Sequence, residues 1–175
     1  LLNGIRSERI IADRFGWQHT VLSVAQGMDA VFLNGELTYT HPGEIRFGAA
    51  EETNPGVVDS IAAFFRRAGI PHTVEANVEH RLWTKFMLNV GINQTCMAYG
   101  GTYGTATAPG EQNRCFIAAM REAMAVARAE GIELTEQDLG DMVDLIASID
   151  PAGMPSMAQD RVAHRRTEVE EVAGT

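Results

Sequence analysis

Three polar side chains are spaced so that they would form one stripe along a helix. Lys85, Asn89 and Asn93 follow one another at intervals of four residues, and residues at that interval lie on the same helical face. The surrounding segment, residues 82–97, is predominantly apolar, which is typical of a helix buried on several sides. Because an ammonium and two carboxamides are costly to bury, they must be paired or must face a cavity that holds a polar ligand.

Two interpretations of this stripe are open on the residues alone. In the structural interpretation, the lysine extends to water and the asparagines hydrogen-bond neighbouring helices. In the functional interpretation, a small oxygen-rich ligand lies across the stripe, because asparagine both donates and accepts hydrogen bonds. The lysine would then hold a carboxylate or, with a pKa lowered by burial, deliver a proton.

A second polar motif lies at residues 155–168, near the end of the chain. Ser156 with Gln159 three residues later is typical of a helix N-cap. The mixed charges that follow, as far as Glu168, are typical of a solvated helix face. Taken alone, this motif therefore predicts a surface helix rather than a site.

The elements that would position these motifs fall into two parts. Residues 1–76 show an α/β pattern, with short β-branched and aromatic runs separated by turns such as Asn34-Gly35. The runs lie at 21–24, 30–33, 37–40 and 44–47. Asn54 before a proline predicts the start of a helix and Gly69 its end, and residues 72–76 predict one returning strand.

From residue 77 to residue 175 the pattern is helical throughout. Thr135 with Asp138 resembles a capping box, and Gly131 ends the helix before it. The predicted helices lie at 78–99, 109–130, 135–148 and 157–173, with a break at 150–153 before the last one. The sequence therefore predicts an α/β part over 1–76 and an all-α part over 77–175.

Composition excludes several classes of function. The chain has 175 residues and a formal charge of −9, which argues against nucleic-acid binding because such surfaces are normally basic. We expect no membrane span, since no apolar stretch is long enough. Cys96 and Cys115 cannot form a disulfide framework, so free thiols in a reducing cytoplasm are expected.

Other catalytic motifs are lacking in the sequence. The five histidines are scattered without a metal-binding spacing, and no serine has the G-x-S-x-G context of a hydrolase. We therefore expect no metal site and no serine nucleophile. The chain begins at Leu1 without a methionine, and we expect it to be a fragment whose missing part lies upstream.

The two polar motifs together resemble those of the ketopantoate reductase (2-dehydropantoate 2-reductase) family. The resemblance rests on Lys-x-x-x-Asn-x-x-x-Asn, followed by Ser-Met-x-Gln-Asp-x-x-x-x-Arg-x-Thr-Glu. It extends over essentially the whole chain, from Leu2-Asn3-Gly4 through Ala30 and Gly48. It implies the tail of a Rossmann-type domain followed by a helical substrate domain, with the active site in the cleft between them.

The resemblance also implies an activity and residue roles. The activity is NADPH-dependent reduction of 2-dehydropantoate to pantoate, a step toward pantothenate and coenzyme A. Lys85 would donate a proton to the developing alkoxide. The residues that would bind substrate are Asn89, Asn93, Ser156 and Asn3. The residues that would contact the cofactor are Asn3, Ala30 and Glu168.

Departures from the family pattern keep alternatives open. The asparagine that often follows the catalytic helix is replaced by residues 101–104, where Tyr103 offers a hydroxyl instead, so another 2-keto acid is an alternative substrate. The Gly-rich phosphate-binding turn does not occur in this sequence, so we expect the fragment by itself to be inactive. A non-catalytic helical dimerisation or binding module with a reductase-like fold is the alternative from another class.

The predicted helix at 109–130 carries several small residues, which would suit either internal packing or a homodimer contact. These residues are Cys115, Ala118, Ala119, Ala123 and Val126. Internal packing is the simpler use, and the homodimer contact is the alternative.

Overall fold

The computed structural model describes residues 3–28, 30–33 and 35–169. The chain divides into two compact units, residues 1–82 and 83–175, and each is described by itself. Within the described residues, none of the helices combines the length and the apolar character that crossing a bilayer requires. Leu2, Asn34 and residues 170–173, on which some of the expectations above fall, lie outside the described residues.

The first unit combines two helices with a small sheet. Its helices are α1 (Ser7–Phe15) and α2 (Pro55–Ala68), and a short 3-10 turn spans Trp17–His19. Its strands are β1 (Val21–Met28), β2 (Val31–Leu33), β3 (Glu36–Thr38), β4 (Pro42–Ala49) and β5 (His72–Val74). The predicted strands and the helix α2 are confirmed, whereas α1 was not predicted.

The sheet of the first unit is mixed. Its strand order is β1-β4-β5, with β1 antiparallel and β5 parallel to β4, and β2 and β3 form a separate hairpin. Phe47 on β4 is 1% exposed and packs with Val58 and Ala62 of α2. A second apolar cluster joins Leu22 and Val24 of β1 to residues 78 and 82.

Local capping sets the ends of α2 as the sequence predicts. The Asn54 side chain accepts a hydrogen bond from the Gly56 N–H, and Pro55 occupies the first helical position. Gly69 adopts the left-handed conformation, with φ of 67°, which glycine tolerates without steric cost. Both signals act within a few residues of the helix, so they fix its ends independently of the rest of the unit.

The second unit contains helices joined by short connections. Helix α3 (Val78–Tyr99) crosses the boundary between the units, and α4 (Tyr103–Thr107), α5 (Glu111–Ala129), α6 (Glu136–Ser148) and α7 (Ser156–Val162) follow. The predicted helices at 78–99, 109–130 and 135–148 are confirmed. The capping box of Thr135 and Asp138 is present at the start of α6, whereas the short helix α4 was not predicted.

The prediction of one continuous helix over 157–173 is wrong, because α7 ends at Val162. His164 adopts a left-handed conformation with φ of 52°. The Arg165 N–H then donates to the Asp160 carbonyl at 2.8 Å, and the Arg165 side chain pairs with the Asp160 carboxylate, also at 2.8 Å. These contacts close the last turn and direct the chain out of the helix.

Candidate functional site

The polar stripe lies on α3 as predicted. Asn93 is 6% exposed, whereas Lys85 and Asn89 are half-buried. Around the rest of the helix, several side chains have almost no exposed surface: Met87, Ile92, Thr95 and Cys96. The prediction of a helix buried on several sides is therefore confirmed, and it places three polar groups in surroundings that are costly for them.

Lys85 is the cation of the stripe. Burial lowers the pKa of its amine, because a desolvated ammonium is disfavoured, while the Glu168 carboxylate raises that pKa through its negative charge. Glu168 itself is exposed. The structure therefore brings the lysine and this carboxylate into electrostatic contact, although they are far apart in sequence.

Asn93 and Ser156 are in direct contact. The Ser156 hydroxyl donates to Asn93 Oδ1 at 3.3 Å, and the Met157 N–H donates to the same oxygen at 3.3 Å. The interpretation of Ser156 as an N-cap is wrong. Pro155 occupies the N-cap position without a side-chain hydrogen bond, and Gln159 donates to the Met154 carbonyl instead.

Asn89 retains its hydrogen-bonding capacity toward a ligand. No side-chain hydrogen bond joins its carboxamide to another residue in the part of the chain that the structure describes. A half-buried carboxamide between Lys85 and Asn93 can both donate and accept. The stripe therefore presents polar groups that the protein itself leaves partly unused.

Tyr103, where this chain departs from the family pattern, lies at the start of α4. Burial raises the pKa of its hydroxyl to about 12, with a smaller contribution from Cys96, so the hydroxyl stays protonated near neutral pH. The predicted break at 150–153 packs against it: the Tyr103 N–H donates to the Gly153 carbonyl at 2.9 Å. Tyr103 therefore offers a neutral hydroxyl held by a fixed backbone.

The other two predicted cofactor residues belong to the first unit. Asn3 is half-buried and precedes α1, and Ala30 is exposed between β1 and β2. The Asn3 carboxamide can donate to and accept from the amide and hydroxyl groups of a nicotinamide nucleoside. The sequence lacks the glycine-rich turn that binds a pyrophosphate.

One signal for Lys85 and one further hydrogen-bond donor, the Met157 N–H, were missed at the level of sequence. Lys85 is the one lysine among the 14 basic residues, and every other is arginine. Since lysine changes its pKa readily on burial and arginine does not, this composition is a signal for Lys85. The Met157 N–H has no such signal, because a backbone donor does not depend on residue type. Among the described residues, no group of side chains could hold a metal ion.

Comparison with known proteins gives one family and a consistent fold. A family model described as ketopantoate reductase PanE/ApbA C terminal matches residues 77–175. The 2-dehydropantoate 2-reductase of Halobacterium salinarum is 28% identical over 176 residues, which cover 99% of this chain and 57% of the relative. The chain therefore spans well under two thirds of that relative's length.

Solved structures show the same fold. The crystal structure of 2-dehydropantoate 2-reductase from Geobacter metallireducens matches with a TM-score of 0.86 and 24% identity, covering 98% of this chain and 57% of that one. The complex of D-mandelate dehydrogenase with NADH matches with a TM-score of 0.85 and 20% identity, covering 99% and 59% respectively. At these identities the likeness describes the fold alone.

Proposed function

The chain belongs to the ketopantoate reductase family, and from this premise we propose that it forms part of an enzyme that reduces 2-dehydropantoate to pantoate with NADPH. The observation that carries the proposal is Lys85, a half-buried amine with a lowered pKa on a stripe of partly unused amides. Burial shifts the pKa of the Lys85 amine in the direction that favours release of its proton.

The reaction would use Lys85 as the acid. NADPH, when bound, supplies a hydride to the carbonyl carbon of the 2-oxo acid. The negative charge that develops on the carbonyl oxygen is stabilised by the Lys85 ammonium, which then donates its proton to that oxygen. The 2-oxo acid, NADPH and one proton become the 2-hydroxy acid and NADP⁺, and Lys85 regains its proton from water.

The two asparagines of the stripe would hold the substrate, and Ser156 would support them through its hydrogen bond to Asn93. Asn89 offers both a donor and an acceptor, and Asn93 offers its amide nitrogen because its oxygen is already occupied. Asn3 would bind substrate as well as cofactor. A substrate held at several points presents its carbonyl to Lys85 in one orientation, which lowers the entropic part of the barrier.

The cofactor would be held mainly outside this chain. We propose that residues 1–76 are the tail of a Rossmann-type nucleotide-binding domain and residues 77–175 the helical substrate domain. Asn3, Ala30 and Glu168 would contact NADPH, and the phosphates would be bound by a turn that this sequence does not contain.

A different 2-oxo acid is the second candidate substrate. Tyr103 stands where the family often has an asparagine, and its protonated hydroxyl, backed by an aromatic ring, would favour a more apolar side chain on the substrate. The fold shared with D-mandelate dehydrogenase supports testing aromatic 2-oxo acids such as phenylglyoxylate.

A homodimer contact through α5 is also proposed. Ala123 on α5 is buried, so it serves internal packing, whereas Cys115, Ala118 and Val126 are exposed. These exposed small and apolar side chains would suit the close approach of a second copy. Light scattering on the full-length protein would give twice the monomer mass if the contact forms.

The test is oxidation of NADPH by the full-length protein that contains this chain. We expect turnover with 2-dehydropantoate, and comparison with phenylglyoxylate and pyruvate would rank the substrates. Oxidation supported better by phenylglyoxylate would assign the second candidate. Absence of turnover with all three acids, in protein shown to bind NADPH, would favour the non-catalytic module.

A further inference from the structure

The carboxamide of Asn93 is held from outside its own helix. Its oxygen accepts from the Ser156 hydroxyl and from the Met157 N–H, both on α7 and both at 3.3 Å. A backbone N–H can only donate, so the atom that it meets must be the carbonyl oxygen and not the amide nitrogen. The chemistry of the contact therefore fixes which way the Asn93 side chain faces.

Fixing the oxygen leaves the amide nitrogen as the remaining donor. Within the described residues, the fully buried side-chain nitrogen or oxygen atom that lacks a hydrogen bond is Gln94 Nε2. Asn93 Nδ2 has no acceptor in that part of the chain either, so it must keep some accessible surface, although Asn93 as a whole is 6% exposed. An amide donor in that state is available to a ligand.

We propose that Ser156 is a positioning residue, which acts with the Met157 N–H to hold Asn93 so that it meets the substrate only as a hydrogen-bond donor. The contact from Met157 gives the start of α7 an acceptor for one of its N-terminal N–H groups. The two contacts together remove the alternative orientation in which Asn93 would present its oxygen to the ligand.

This orientation has a consequence for the substrate. An ammonium such as that of Lys85 can likewise only donate hydrogen bonds, so the stripe has a donor-only group at each end. A ligand that presents acceptors at both ends fits, as a 2-oxo acid does with its keto oxygen and its carboxylate. A 2-amino acid would place its ammonium donors against one of them. The inference rests on the proposed function for its substrate and on the α7 contacts for its geometry.

A direct contact between Ser156 and the substrate is the competing role, and a double-mutant cycle separates the two. In the full-length protein, Ser156→Ala should raise KM about 3- to 10-fold, the effect of one neutral hydrogen bond, with kcat nearly unchanged. If Ser156 acts through Asn93, the double variant Ser156→Ala/Asn93→Ala should have the KM of Asn93→Ala alone, within about twofold. If the double variant instead raised KM by the product of the two single effects, the proposal would be wrong.

Two further variants control this cycle. Ser156→Thr keeps the hydroxyl and should restore KM to about the wild-type value, whereas a KM as high as that of Ser156→Ala would contradict the positioning role. Gln159→Ala removes a hydrogen bond within the same segment, to the Met154 carbonyl, without touching Asn93. If Gln159→Ala changed KM as much as Ser156→Ala does, the effect of Ser156→Ala would come from the fold of α7 and not from its contact with Asn93.

Asn93→Asp tests the donor-only orientation itself. The aspartate keeps an oxygen for Ser156 and Met157 but loses the N–H donors, so the hold on α7 remains while substrate binding weakens. We expect KM to rise at least as much as in Asn93→Ala. A smaller rise than in Asn93→Ala would show that the oxygen, not the nitrogen, serves the ligand.

Amide hydrogen exchange at Met157 gives a readout that does not depend on activity. In Asn93→Ala the Met157 N–H loses its acceptor and should exchange at least about 10-fold faster, whereas in Asn93→Asp it should stay protected. Unchanged exchange in Asn93→Ala would overturn the proposed hold. Failure of the full-length protein to reduce any 2-oxo acid would contradict the proposed function instead, so the two failures are distinguishable.

Discussion

Two clusters of polar side chains, one in each unit, use their hydrogen bonds in opposite ways. In the first unit, Arg46 pairs with Glu44 at 2.6 Å and with Glu75 at 2.7 Å, Arg81 reaches Glu75 at 3.4 Å, and Thr73 donates to Glu44 at 2.9 Å. We call these five residues the Arg46 network. Its donors and acceptors meet one another across β4, β5 and the start of α3.

The stripe on α3 shows the contrary pattern. Asn89 makes no side-chain hydrogen bond within the described residues, Asn93 uses only its oxygen there, and burial lowers the pKa of Lys85. A polar cluster that satisfies itself stabilises the fold, whereas one that keeps unused donors in a half-buried setting is suited to a ligand. From this difference we propose a structural role for the first cluster and a binding role for the second.

The largest effect is expected at Lys85. In the full-length protein, Lys85→Ala should lower kcat by about 10²- to 10⁴-fold, the usual contribution of a general acid, and leave the Kd for NADPH within about twofold. Lys85→Arg is the matched variant: it keeps the positive charge but does not release a proton near neutral pH, so its kcat should fall as well. Steady-state kinetics and cofactor titration measure both.

Either of two results would contradict the role proposed for Lys85. Wild-type turnover in Lys85→Ala would exclude the residue from the reaction. Wild-type turnover in Lys85→Arg alone would show that charge, rather than proton donation, is what the position supplies.

The Arg46 network should respond in the opposite sense. Glu75→Ala removes the carboxylate shared by two arginines, and we expect the free energy of unfolding to fall by about 1 kcal/mol, with KM and kcat unchanged. Thermal unfolding and kinetics on the same preparation measure both. A changed KM with unchanged stability would mean that this network also belongs to the site.

Gln94 tests the difference between a donor that lacks a partner because it is buried and a donor that is available to a ligand. Its Nε2 is buried without a partner in the described part of the chain, and one residue along α3 turns it about 100° away from Asn93, so it costs stability. Gln94→Met should raise the free energy of unfolding by about 1 kcal/mol. Gln137→Met, at an exposed glutamine bonded to Asp141, is the control and should not. Loss of activity in Gln94→Met without loss of stability would place Gln94 in the site.

The smallest effect is a shift in pH dependence. A proton donor must be protonated, so kcat should decline as pH rises through the pKa of Lys85. The Glu168 charge raises that pKa, so Glu168→Gln should lower it and move the decline to lower pH. Glu136→Gln, at an exposed pair with Arg121, should leave the profile unchanged. A decline that stays in place or moves to higher pH in Glu168→Gln would contradict the coupling.

Local signals in the sequence predicted much of this fold. Asn54 with Gly69, and Thr135 with Asp138, act through contacts a few residues away, and the helices between or after them are confirmed. The end of α7 was missed because His164 turns left-handed without being glycine, and contacts between Asp160 and Arg165 accompany that turn.

The stripe was predictable from helical spacing, but its partners were not. The contact of Ser156 with Asn93 joins residues 63 apart in sequence, and the N-cap pattern at Ser156 favoured a local role instead. Glu168 acts on Lys85 from a segment that follows the end of α7. Contacts of this kind depend on tertiary packing, which no spacing rule within one segment describes.

Rescue of Lys85→Ala by added amines tests the role of Lys85 as the acid most directly. We expect turnover of the full-length variant to rise with the concentration of protonated methylamine or ethylamine, because a free ammonium replaces the missing proton donor. The rise should follow the protonated form as pH is varied. A turnover that no amine restores, in a variant that binds NADPH and substrate as tightly as the wild type, would contradict the assignment of Lys85 as the acid.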